Sequence, residues 1–114
     1  MPFINVHIGK PLTDEEKANV AAMIAGNMPI LPGKTRDNTM IEISAGRDMF
    51  MGGEKRALVF VDMRVYHESP VEAKDEFVKA LTKGFAALLG IDPASQYYNI
   101  ADMPQWGGRG SFHN

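Results

Sequence analysis

Ser69-Pro70-Val71-Glu72 repeats, 56 residues further along, the pattern of Thr13-Asp14-Glu15-Glu16. In each stretch a hydroxyl residue precedes a glutamate by three positions. The side-chain oxygen of the first can accept from the amide of the last, and the glutamate can reach back to the first amide, so both read as capping boxes that open helices. Pro70 is placed where the first helical residue needs no N–H. After Thr13, the residues Val20, Ala21, Met23, Ile24 and Met28 make an apolar stripe that Pro29 and Pro32 terminate. Behind Ser69, Phe77, Val78, Leu81, Phe85, Leu88 and Leu89 recur at helical spacing until Gly90.

Strands fit between these helices. Ile4, Val6 and Ile8 alternate with other residues over positions 3–8, and further strands are predicted over 39–45, 57–66 and 96–102. The Gly52-Gly53 pair marks a turn before the longest of them. The order β-α-β-β-α-β follows, with the second and fourth strands 57 residues apart, in step with the helix starts. The fold class is α+β. Two β-α-β units side by side predict a four-stranded sheet with both helices on one face, whereas a ferredoxin-like split β-α-β shares the same element order. Ala57-Leu58-Val59-Phe60-Val61 is apolar on both alternations, which predicts a sheet covered on both sides and hence a homo-oligomer.

The 114 residues predict a single domain over 1–114, and 45% hydrophobic with 23% charged residues is ordinary for a soluble globule. A net charge of -2 argues against nucleic acid as a partner, which would require a basic face. No apolar run approaches the roughly 20 residues of a membrane helix, and the start lacks a signal peptide's basic and apolar regions, so no membrane partner and a cytoplasmic location are expected. The absence of cysteine removes disulfides, thiol catalysis and thiolate metal sites.

Several short motifs carry little. Gly33-Lys34-Thr35 ends like a phosphate-binding loop, but Met28 stands where the upstream glycine belongs. His7, His67 and His113 lack the spacing of metal ligands, so neither a metal nor a cofactor is expected. Trp106-Gly107-Gly108-Arg109-Gly110 is one copy of a glycine-arginine segment in an acidic chain and reads as a glycine-rich terminal turn.

Pro2, directly before the first strand, is tolerated there because no ladder bond is asked of a strand's first residue. A small second residue also favours removal of the initiator methionine, which would leave a secondary amine at the chain end. Pro2, the duplicated β-α-β units, Lys34, Met51-Gly52-Gly53 and Tyr97-Tyr98-Asn99-Ile100-Ala101-Asp102-Met103-Pro104 together resemble the tautomerase superfamily over essentially the whole chain, closest to its migration inhibitory factor branch.

That resemblance implies a homotrimer whose sheets form a barrel with the helices outside, and an isomerase in which the Pro2 amine is the catalytic base. It also implies catalytic roles for Lys34, Tyr97 and Asn99, the last two reaching a neighbouring subunit's Pro2, with Trp106 and Phe112 lining the pocket. Arg64 departs from the branch's apolar residue and is similar to arginines of the superfamily's decarboxylases and dehalogenases. The expected substrate is a small keto or enol acid such as a phenylpyruvate, bound at Arg64, Trp106 and Phe112. Burial among apolar groups and a nearby Lys34 or Arg64 would leave the amine free at neutral pH. Two alternatives stay open: hydration or decarboxylation of a 3-carbon acid with help from Asp37, and a non-catalytic trimeric binding or signalling protein.

Overall fold

Alternation decides the centre of the molecule. In a computed structural model that describes residues 1–114, β1 (Pro2–Ile8) buries Pro2, Ile4, Val6 and Ile8 and leaves the residues between them half-exposed. α1 (Asp14–Asn27) follows, and β2 (Met40–Ser44) returns parallel to β1. The hairpin β3 (Phe50–Met51) and β4 (Glu54–Lys55) turns on Gly52 and Gly53, whose φ values of 60° and 79° are those a tight two-residue hairpin needs. β5 (Val59–Tyr66), α2 (Val71–Leu89) and β6 (Gln96–Met103) form the second unit. A terminal hairpin of β7 (Trp106–Gly108) and β8 (Ser111–His113) ends the chain.

The sheet order is β2-β1-β5-β6, with β1 and β5 antiparallel at its centre. Each unit therefore keeps its two strands adjacent and parallel, which separates this fold from the split β-α-β alternative. Both helices lie on one face over a core of 16 buried residues that includes Ile24, Phe77, Leu81 and Phe85. Each fully buried side chain of this kind contributes about 1.5 to 3 kcal/mol.

Two expectations need correction. Thr13 does cap α1: its Oγ accepts from the Glu16 amide at 3.1 Å and its own amide donates to Glu16 Oε1 at 2.9 Å. Ser69 does not cap α2. A proline disfavours the helical region for the residue before it, so Pro70 itself becomes the N-cap, its carbonyl accepting from Lys74, and Ser69 turns inward with its hydroxyl unpartnered. Nor is the sheet's second face apolar throughout. Across it run the rows Met40-Phe3-Arg64-Ala101, Glu42-Asn5-Asp62-Asn99 and Ser44-His7-Phe60-Tyr97. Ala57 and Leu58, which carried the apolar reading, precede β5.

Candidate active site

The amino end of β1 opens into a cleft of about 400 Å³, within the range of small-molecule sites. Met1, Pro2, Phe3 and Met40 form one side, and Trp106, Gly107, Gly108 and Arg109 of the terminal hairpin form the other, with Asn38 between them. The Met1 side chain lies so close to the hairpin that a Cβ on Gly108 would stand 3.2 Å from its Cε. Burial first, and the positive charge of Lys34 second, hold the chain's amino group below its ordinary pKa.

Lys34 reaches this end through local chain geometry. Pro32 and Gly33 occupy the central positions of a turn closed by the Lys34 amide on the Leu31 carbonyl at 3.0 Å, and Gly33 takes the φ of 76° that its position requires. The Lys34 ammonium then donates to the Tyr66 carbonyl at the end of β5 at 2.8 Å. Tyr66 also ties down the tail: its hydroxyl donates to the Asn114 carbonyl, and its ring lies 6.3 Å from that of Trp106.

Of the residues singled out in the sequence, Pro2 and Trp106 line the cleft together, and the charge of Lys34 lowers the pKa of the Met1 amino group beside Pro2. Arg64 stands exposed across from Phe3, one strand away from the lining residues. Phe112 covers Gly107 from the paired strand, 70% exposed and outside the cleft. Tyr97 and Asn99 are not part of the site within one chain. Asp102 is level with Pro2, so Tyr97, five residues back on β6, is roughly 17 Å away along the strand. Tyr97 instead belongs to a wholly apolar hollow of about 390 Å³ with Met49, Phe50, Met51, Leu58, Val59 and Phe60. Asp37 is exposed and does not line the cleft.

Asn38 and Arg109 escaped the sequence reading. The Arg109 guanidinium donates to Asn38 Oδ1 at 2.9 Å, a contact between residues 71 apart in the chain. The available signal was the Arg109-Gly110 pair between two short strands. Both residues adopt positive φ, 50° and 90°, as a two-residue hairpin turn demands.

No family model matches the sequence, and no curated protein matches it. Solved structures do match. MIF2 of Leishmania major aligns at a TM-score of 0.89 with 19% identity, over 98% of this chain and 97% of that one. The chain shares the fold of this migration inhibitory factor-like structure. A fused 4-OT, solved as an asymmetric trimer, aligns at 0.85 with 17% identity over 96% of this chain and 94% of that one. Pt0534, solved after inactivation by 2-oxo-3-pentynoate, aligns at 0.83 with 15% identity over 97% and 95%. On this fold the cleft occupies the amino end of β1, one of the two central strands.

Proposed function

We propose that the protein is a keto-enol tautomerase acting on small 2-keto acids, with the amine of Pro2, freed by removal of Met1, as general base. One observation carries the reading: Pro2 lines a cleft beside the Met1 amino group, whose neutral form is favoured by burial and by Lys34, and the Pro2 amine would take that place once Met1 is removed. For a phenylpyruvate-like acid, Pro2 takes the proton from C3 and returns it in the reverse direction, an exchange that works best with a base neutral near the working pH. Lys34 and, from the neighbouring strand, Arg64 supply positive charge for the developing enolate and the carboxylate. Trp106 packs on the substrate's apolar part, with Phe112 backing the hairpin at Gly107 from outside the cleft.

Tyr97 and Asn99 take part only from a neighbouring subunit, so the proposal includes a homotrimer. The apolar hollow around Phe50 and Tyr97 is the surface that assembly covers. The neighbour Pt0534 is inactivated by a 2-keto acid and the fused 4-OT is a trimer, and both facts support the reading by analogy of fold.

The test combines the intact mass of the purified protein with the ultraviolet absorbance of phenylpyruvate enol. A chain lacking Met1 that speeds loss of the enol signal is the expected result. A chain that retains Met1, or one that leaves the enol decaying at the buffer rate, overturns the proposal.

A further inference from the structure

Arg109 provides the one charged side chain lining the cleft, and no carboxylate lines it. Its fixed partner, Asn38, is neutral, so the contact orients the guanidinium without cancelling its charge. A guanidinium carries five N–H donors, and one bond to Asn38 leaves the others available. None of the four ion pairs in the chain involves Arg109, Lys34 or Arg64. The backbone makes the residue choice informative. Arg109 occupies a left-handed turn position at φ 50°, where glycine or asparagine would sit with less strain. A strained residue that places a charge in a cleft is a pointer to function.

We propose that Arg109, carried on the terminal hairpin and steadied by Asn38, grips the carboxylate of a small organic acid in the cleft and so sets the site's preference for anionic over neutral substrates. This rests on the reading of the cleft as the substrate site. The planar fork matches two carboxylate oxygens at once. The hairpin places it in the same cleft as Pro2, so a small 2-keto acid held there by its carboxylate would have its carbonyl and C3 within the cleft that the amine shares. Arg64 lies outside the lining and contributes long-range charge.

The chain's single tryptophan, Trp106, lines the same cleft and reports occupancy by its fluorescence. Protein of verified mass is titrated with pyruvate and with methyl pyruvate, as wild type and as Arg109→Asn, Arg109→Lys and Arg64→Ala. Arg109→Asn suits the turn, because Asn-Gly is the favoured pair there, and circular dichroism confirms that the variant is folded. Its pyruvate affinity should fall about tenfold or more, the scale of a lost charge-assisted contact, with methyl pyruvate unchanged. Arg109→Lys should recover part of the loss, and Arg64→Ala should cost less than Arg109→Asn. Undiminished pyruvate affinity in Arg109→Asn, equal losses for acid and ester, a larger loss in Arg64→Ala, or no pyruvate binding by the wild type would each overturn the proposal. Phenylpyruvate turnover in the same preparations separates the two readings. Acid-selective binding through Arg109 without turnover sinks the tautomerase and leaves this site standing, whereas turnover that Arg109→Asn does not change sinks this inference alone.

Discussion

The two ends of the sheet's open face are built from opposite materials. At the Pro2 end, the Met1 amine and Arg109 stand at a cleft of about 400 Å³, with the charge of Lys34 felt from outside its lining. At the other end, Met49, Phe50, Met51, Leu58, Val59, Phe60 and Tyr97 enclose about 390 Å³ without one polar side chain except the tyrosine hydroxyl. Similar volumes with such different linings suit different tasks. Unpaired positive charge draws and orients an anion, while exposed aromatic and methionine surface gains most from being covered by protein. The strands between the ends are shared, so the two linings stand apart by about the length of β1.

The sharpest way to break this contrast is at the amine. Pro2→Ala should fold as the wild type does, because a strand start requires no proline, yet lose about 100-fold or more in turnover, the usual worth of a positioned base. Unchanged kinetics with phenylpyruvate would remove the amine from the chemistry.

At the apolar end, Phe50→Asp should dissociate the proposed trimer. Phe50 is 60% exposed in the single chain, and loss of a central aromatic costs an interface about 2 kcal/mol or more. Sedimentation of the variant at micromolar concentration tests this, and a wild-type chain that sediments as a monomer would overturn the assembly itself. Activity should fall together with assembly, since in the proposed trimer Tyr97 and Asn99 would reach a site only across subunits.

A smaller effect distinguishes charge from burial. Burial and then Lys34 lower the pKa of the Met1 amino group, and in the proposed enzyme both causes act on the Pro2 amine that removal of Met1 would expose one residue further along. Lys34→Met removes one lowering cause, and the rising limb of kcat/KM against pH should move to higher pH. The variant's deficit should therefore be largest at acid pH and shrink as pH rises. A deficit equal at every pH would limit Lys34 to binding substrate.

The smallest effect compares the helix starts on the covered face. Thr13→Ala should cost about 1 kcal/mol, the ordinary worth of a cap. Ser69→Ala should stay within about 0.5 kcal/mol, because the Ser69 hydroxyl has no partner to lose. Denaturant unfolding of both variants measures the difference, and equal losses would restore Ser69 as a cap.

Local patterns in the chain were legible because short-range physics produces them. The Thr13 box, the alternation of β1, the apolar stripe of α2 and its Gly90 stop at φ 66° all involve neighbours within a few residues. Misreading began where a neighbour's constraint overrode the pattern, as Pro70 did at Ser69. The candidate site was half legible. Pro2, Lys34 and Trp106 could be singled out individually, whereas Asn38 and Arg109 meet only after 71 residues of chain have folded between them.

By itself, then, the sequence determined the elements of the two β-α-β units and their order, and left the pairing of their strands open between two arrangements. Each of those follows from side-chain period, caps and turn residues that act locally, and their duplication limited the topology to few arrangements. Only the tertiary structure decided that β1 and β5 lie antiparallel at the centre, that Tyr97 stands at the opposite end of the sheet from Pro2, and that the terminal hairpin brings Arg109 over the amine's cleft. Those are distances between residues far apart in the chain, and they become definite only when the shared core of both units packs and sets the register of every strand at once.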